Sequence, residues 1–415
     1  MPRAVHIIGG GLAGLAAAVR LAAFSASVTL HEATSVPGGR CRSYHDHATG
    51  LVIDNGNHLL LTGNHAAFAY ARTIGSERLL VGPAKAEFPF FDLATRQGWT
   101  LRLNDGRFPW WVFDADRRVP GTRPLDYLRL ARLLLAPNRP IAAIIDCAGP
   151  LYDRLLAPLL TAALNTDPRE ASAALAGAVI RETLARGGKA CRPRIAREGL
   201  GMVFVEPALA HLAKAGAAIR LGHELRALRC DGQSVTELDF GADYVALGPR
   251  DAVIMAAPAF AATALVPGVT APTVFRAILN THFRADAAPG MPSLIGVLNG
   301  ISEWVFSFPG RISVTTSNAD RFMNEPRDGL ADAIWREVCA VTGLSGERPA
   351  WQIVRERRAT FAATPEENAK RPGAQTAWRN LFLAGDWTAT GLPATIEGAI
   401  RSGNRAADLV LASSG

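Results

Sequence analysis

Ala4-Val5-His6-Ile7-Ile8-Gly9-Gly10-Gly11-Leu12-Ala13-Gly14 is the stretch on which the reading of this 415-residue chain turns. Its β-prone start predicts a short strand buried in a parallel sheet, running without a spacer into G-x-G-x-x-G at Gly9, Gly11 and Gly14. Gly9 permits a tight turn, Gly11 lets a pyrophosphate approach the backbone, and Gly14 lets the following helix lie close to the strand. That helix is expected from Leu12 to Ala23, with the free N–H groups of its first residues, Leu12 and Ala13, and its positive dipole end aimed at phosphate. Ser27 to Leu30 reads as a second strand. Glu32 falls at its end, where a carboxylate accepts hydrogen bonds from both ribose hydroxyls and repels a 2′-phosphate. A glycine hexad alone would fit any tight turn. With the strand, the helix and a carboxylate about twenty residues on, it predicts dinucleotide binding.

Working outward, the length exceeds what one hydrophobic core usually organises, so two lobes are expected. Apolar residues at 49% and charged residues at 20% exclude long disorder. Basic residues outnumber acidic ones 44 to 37, but only four are lysines, and a net charge of +7 over this length does not predict nucleic-acid binding. The five cysteines are scattered without C-x-x-C spacing, which suits a reduced, cytoplasmic setting. Met1-Pro2-Arg3 and the glycine-rich run after it do not make a secretory leader. Ala252 to Phe275 is uncharged, yet Pro258, Pro267, Gly268 and Pro272 interrupt it, so a strand, a short helix and a loop are expected in place of a membrane span. None of the nine histidines pairs with cysteine or carboxylate at a ligand spacing, and no metal site is expected.

Two further stations decide which dinucleotide. Val36-Pro37-Gly38-Gly39-Arg40-Cys41 offers a second glycine pair for close backbone approach and a guanidinium for the pyrophosphate. Near the other end, Asn380-Leu381-Phe382-Leu383-Ala384-Gly385-Asp386 reads as a buried strand running into a glycine and a carboxylate, followed by Gly391-Leu392-Pro393-Ala394-Thr395-Ile396-Glu397. Pro393 is expected in the first turn of a terminal helix, whose unpaired N–H groups would face an electron-rich ring and stabilise negative charge on a reduced flavin.

These stations together resemble the FAD-binding signature of the flavin amine oxidase and carotenoid desaturase superfamily. The resemblance implies an α/β fold, with a Rossmann-like FAD-binding domain of the glutathione-reductase and amine-oxidase type carrying an inserted α+β substrate domain. It implies that Gly38, Gly39 and Arg40 contact FAD, that Gly385 and Asp386 hold its ribityl-pyrophosphate portion, and that Thr395 and Ile396 approach the isoalloxazine. Asp54-Asn55-Gly56-Asn57-His58 looks like the superfamily's loop beneath the flavin, bringing Asn55 and Gly56 to the cofactor. Leu225 would meet the adenine through its backbone, although the family usually has Val there. Trp99-Thr100-Leu101-Arg102, Pro109-Trp110-Trp111, Leu164-Asn165-Thr166, Glu356-Arg357-Arg358-Ala359-Thr360-Phe361 and Ala384-Gly385-Asp386-Trp387-Thr388, in that order along the chain, are similar to the hydroxysqualene dehydroxylase family in particular.

That closer resemblance implies reduction of hydroxysqualene to squalene by reduced FAD in bacterial squalene and hopanoid biosynthesis. The chemistry needs an acid to protonate the departing hydroxyl and a dry, electron-rich wall for an allylic cation. His58, chargeable near neutral pH, is the expected proton donor, with Asp54 as its orienter or alternative and Glu397 as a third candidate. Trp387, Trp110, Trp111 and Phe361 are the expected aromatic wall. The rival readings are a desaturase or amine oxidase of the superfamily, which would run the hydride the other way, and a non-catalytic isoprenoid carrier. The electron donor is left open among a ferredoxin, a flavodoxin, a quinone and a free nicotinamide.

The FAD-binding domain is expected to be discontinuous, over 1–85, 196–265 and 375–415, with 86–195 and 266–374 forming the substrate domain. In the first insertion Phe88, Phe90, Phe91, Trp99, Phe108, Trp110, Trp111 and Phe113 precede Arg117, Arg118, Arg123, Arg129, Arg132 and Arg139, and Leu125 to Leu164 reads as an amphipathic helical region. This pattern predicts peripheral contact with the inner face of the cell membrane. A polyprene of roughly thirty carbons would gain on the order of 20 kcal/mol on leaving water, so it travels from bilayer to pocket, never through solution.

Overall fold

The computed structural model describes residues 4–24 and 26–413; the Met1-Pro2-Arg3 reading lies outside them. Ala4–Ile8 is the central strand of a five-stranded, all-parallel sheet. On one side it pairs with Ser27–His31, which pairs in turn with Ala218–Arg220; on the other it pairs with Ala252–Met255 and, beyond that, Leu381–Leu383. Strands buried on both faces become continuous apolar runs, as in the wholly buried Ala252–Met255. Helix Leu12–Ala22 follows the first strand, and the C-terminal helix Ile396–Ala412 packs across it. Gly403 makes that crossing close: a Cβ there would sit 2.1 Å from the Ala13 carbonyl oxygen.

A second, seven-stranded sheet runs in the order Trp351–Phe361, Phe275–Phe283, Arg311–Thr316, Trp304–Phe308, Leu294–Leu298, Glu87–Asp92, Gln97–Arg102. Its pairs are antiparallel except Leu294–Leu298 with Glu87–Asp92. Alternation sends Leu279, Val305 and Val314 to a face covered by helix Arg327–Thr342. The opposite face presents Asn280, Thr315, Trp304 and Phe306, cross-strand neighbours that look toward the glycine-rich lobe. Strand Pro193–Ala196, which spans the boundary expected at 195, pairs with Leu59–Leu61 and Leu80–Val81.

Two local expectations are corrected. Leu125 to Leu164 is not one helical region but a turn at Pro124–Tyr127, helix Leu128–Leu134, a turn at Ile141–Ala143, and a π-turn Tyr152–Leu156 running into helix Ala157–Leu164. Pro137, Pro140 and the left-handed Gly149 interrupt it. The terminal helix begins at Ile396 with Thr395 as its N-cap, so Pro393 precedes the helix and is not in its first turn.

Candidate functional site

The three glycine stations, far apart in sequence, meet at the ends of the central strands. Gly9 turns with φ +112°, its N–H donating to the His31 carbonyl at 2.7 Å. A Cβ on Gly14 would lie 2.0 Å from the Gly9 carbonyl oxygen, so this glycine serves packing. A Cβ on Gly11 would meet nothing within 4 Å, so the backbone ahead of Leu12 and Ala13 faces open space, as phosphate approach requires. The second station docks on the first: the Gly38 N–H donates to the Gly10 carbonyl at 2.8 Å, and a Cβ on Gly39 would come 3.4 Å from Gly11 Cα. Arg40 joins the third, donating from Nη2 to Asp386 Oδ1 at 2.7 Å and from Nη1 to the Ala359 carbonyl at 2.5 Å. Asp386 is buried and Arg40 half-exposed, so the guanidinium keeps free donors for an anionic group.

Glu32 closes the glycine loop, accepting from Gly10 N–H at 2.8 Å on Oε2 and from Thr34 N–H and Oγ on Oε1. Leu225 follows a segment that docks on this corner through Gly222 N–H to the Thr34 carbonyl and His223 N–H to the Glu32 carbonyl. The Leu225 side chain is buried, while its backbone N–H and carbonyl make no hydrogen bond among the described residues, leaving them for a ligand edge. At the terminal helix, Thr395 Oγ accepts from Gly398 N–H at 3.0 Å, while the N–H of Ile396 is not used by the fold. Gly385 (φ +150°) donates its N–H to Ser402 Oγ at 2.9 Å.

The expected acids fare differently from one another. Asp54 is buried and committed: Ser43 Oγ and Leu200 N–H donate to its Oδ1 at 2.5 and 2.8 Å, and Arg311 stands 3.7 Å from Oδ2. Burial pushes its carboxyl up, and these three partners are the ones that hold it. Glu397 is also spent: it accepts from Ala66 and Ala67 N–H at the start of helix His65–Thr73 and from Arg401 Nε at 2.7 Å. His58 is half-buried, and its ring makes no hydrogen bond among the described residues. Burial, with Arg40 nearby, pushes it down to about 4, so it rests neutral at pH 7, contrary to the charged form expected.

The aromatic wall is also corrected. Trp110 is 65% exposed on the outer surface, and its neighbour Trp111 is buried edge-on against Tyr127. Phe361 already carries the Arg371 guanidinium 4.8 Å from its ring centre, and Trp387 donates Nε1 to the Ala257 carbonyl at 3.0 Å. The second sheet carries an aromatic cluster of its own: Phe90 stacks on Trp99 at 4.5 Å and tilts on Trp304 at 5.7 Å, with Phe306 on the same face. The indole N–H groups of Trp99 and Trp304 and the Asn57 side-chain oxygen are buried without a partner. Strand alternation was the available signal for these residues.

Other site residues unsuspected from sequence are Asn280 and Thr315, which brace Asn57 at 3.2–3.4 Å, and Glu356, which accepts from Asn55 Nδ2 at 3.1 Å. Gly56 faces Asn280, to which a Cβ would come within 3.4 Å. Arg371 is buried and donates to the carbonyl oxygens of Asp386 and Thr388, shaping the loop before the terminal helix. Among the described residues no group of His, Cys, Asp and Glu forms a metal site.

Comparison with known proteins identifies the family. The flavin containing amine oxidoreductase family matches residues 12–137 and 145–411. Hydroxysqualene dehydroxylases of Rhodopseudomonas palustris, Sinorhizobium fredii and Zymomonas mobilis are 61%, 57% and 46% identical to the chain, each over 99% of both chains. Among solved structures, cyclohexylamine oxidase from Brevibacterium oxydans superposes with a TM-score of 0.72 at 15% identity over 99% of both chains. A putrescine oxidase double mutant superposes at 0.69, also at 15% identity and 99% coverage of both; these likenesses speak for the fold alone. The open backbone at Gly11, the joined Arg40 and Asp386, and the unpaired Leu225 backbone fit FAD, the cofactor of a flavin oxidoreductase. The chain belongs to the flavin containing amine oxidoreductase family and, within it, to the family of the hydroxysqualene dehydroxylases.

Proposed function

We propose that the chain catalyses the FAD-dependent reductive dehydroxylation of hydroxysqualene to squalene in bacterial squalene and hopanoid biosynthesis. The observation that carries this reading is end-to-end identity of 46–61% with three relatives of that name. Bound in the cradle, reduced FAD supplies the hydride that replaces the allylic hydroxyl. The first helix and Arg40 hold its pyrophosphate, Glu32 its ribose and the Leu225 backbone its adenine, while Thr395 and Ile396 set the helix end that favours negative charge on the ring.

His58 is the proton donor in this reading, because Asp54 and Glu397 are consumed by the fold and its own ring nitrogens are free. It delivers the proton from a ring nitrogen in its minor imidazolium form, about one molecule in a thousand at pH 7 for a group at about 4. The hydroxyl leaves as water. Phe90, Trp304 and Phe306 exclude solvent and offer ring faces to the positive carbon. Substrate arrives from a bilayer, with the protein working as a peripheral enzyme on the cytoplasmic side. Among the described residues no helix is long and apolar enough to cross a membrane.

The test is product analysis after anaerobic incubation of FAD-loaded protein with dithionite and hydroxysqualene. Squalene is expected. Unchanged hydroxysqualene would overturn the reading, and extra double bonds formed by the oxidised protein on a polyene would replace it with the desaturase.

A further inference from the structure

We propose that the ridge formed by residues 108–113 and 125–135 is the surface by which this protein docks on an anionic lipid bilayer, an inference that rests on the bilayer-dissolved substrate proposed above. Phe108, Trp110 and Phe113 are 55%, 65% and 56% exposed, and their rings gather at one corner with centroids 4.4–6.5 Å apart. The corner is braced from below, where Trp111 packs edge-on against Tyr127, whose hydroxyl accepts from Val119 N–H at 3.0 Å. Tyr127 ties the corner to helix Leu128–Leu134, which packs Leu130, Leu133 and Leu134 on the core and leaves apolar side chains exposed at both of its ends. Leu133 is fully buried, while Leu125 in the turn before the helix, Leu128 at its start and Leu135 just past its end are 75%, 61% and 90% exposed.

The charges choose the occupant. Exposed Arg107, Arg123 and Arg132 flank the apolar residues and form no ion pair among the described residues, while Arg117 stands 3.5 Å from Asp114. A second copy meeting this face through a two-fold axis would set these arginines against themselves. An anionic headgroup layer accepts them while the rings and leucines enter the acyl boundary, where Trp and Arg are favoured.

The experiment is vesicle flotation of full-length, FAD-loaded protein with phosphatidylcholine alone and with about one third phosphatidylglycerol. The protein is expected to float with the anionic vesicles, and the Trp110→Ser/Phe113→Ser and Leu125→Ser/Leu128→Ser pairs to lose at least about tenfold in partition. Their flavin absorbance and their turnover of micellar substrate should stay at the wild-type level. Trp110 is the one exposed tryptophan of eight, so quenching by bromolipid should fall in Trp110→Phe, which keeps the apolar contact. Failure to float on either vesicle, wild-type flotation of both pairs, or a lipid-free dimer in which Trp110 is shielded would each overturn the proposal. Flotation by a protein that does not turn over hydroxysqualene would uphold the surface and sink the substrate reading instead.

Discussion

Alanine at Gly11 should destroy flavin binding and spare the apoprotein, whereas alanine at Gly14 should damage the fold itself. Gly11 has φ −74° and ψ 178°, ordinary for alanine, and its Cβ would enter open space. The apoprotein should therefore shift by less than about 1 kcal/mol, a small gain in chain entropy against a small loss at the helix N-cap. With cofactor the same methyl stands where phosphate meets the first turn. Overpacking of about 1–3 kcal/mol together with one weakened charge-assisted hydrogen bond of about 1.5–3 kcal/mol amounts to roughly 10²–10⁴ in Kd. At Gly14 the Cβ would stand 2.0 Å from a backbone oxygen where ordinary contact begins at 3.4 Å. The helix must move, at about 1–3 kcal/mol or more, before any ligand is added. Apoprotein melting by circular dichroism, paired with FAD titration followed by flavin fluorescence, separates the two. Wild-type FAD affinity in Gly11→Ala would refute the assignment of the open space to the pyrophosphate; an unchanged apoprotein melt in Gly14→Ala would refute the packing argument.

Four other outcomes are expected. Arg40→Ala should weaken FAD binding more than Arg40→Lys, since both remove the fork that meets Asp386 but only alanine removes the charge, and equal losses in the titration would count against that geometry. If His58 delivers the proton, log kcat should fall by one unit per pH unit between about pH 5 and 8, because its pKa is near 4, and His58→Ala should flatten the profile while the protein stays yellow. Glu397→Gln should lower the melting temperature through about 1–3 kcal/mol of lost capping and ion-pair energy without changing the pH profile of turnover; a native melt with dead enzyme would return Glu397 to the list of acids. His31 and His282, both held near 3 chiefly by burial, should make the protein acid-labile. Their folded pKa values lie below the unfolded value, so below about pH 6.5 the unfolded chain takes protons that the folded one refuses, and stability falls by about 1.4 kcal/mol per pH unit per histidine until about pH 3. Urea midpoints at pH 7 and 5 in His282→Asn should show a shallower fall than in wild type.

The nucleotide-binding fold and its flavin class were legible from sequence because their signals are local. A turn needing a left-handed glycine, a helix start that must stay bare and a strand ending in a carboxylate each declare themselves within a few residues. The substrate side was not. Asp54, which ends strand Leu51–Asp54, and His58, in the loop after it, are four residues apart, yet Ser43, Leu200 and Arg311 claim the first and leave the second free. Trp110 and Trp111 are adjacent, and one faces solvent while the other is buried. Phe90 and Trp304 meet only because the second sheet sets their strands on either side of Leu294–Leu298, with Gly296 bare beneath the Phe90 ring, where a Cβ would come within 2.5 Å.

What the amino-acid sequence determined by itself, then, is the nucleotide lobe and the ligand class, because backbone torsion and helix polarity act over a handful of neighbouring residues. Which imidazole keeps its ring nitrogens free, which aromatics face the cleft and which face outward were decided by the tertiary structure, because desolvation and strand pairing depend on residues hundreds of positions away.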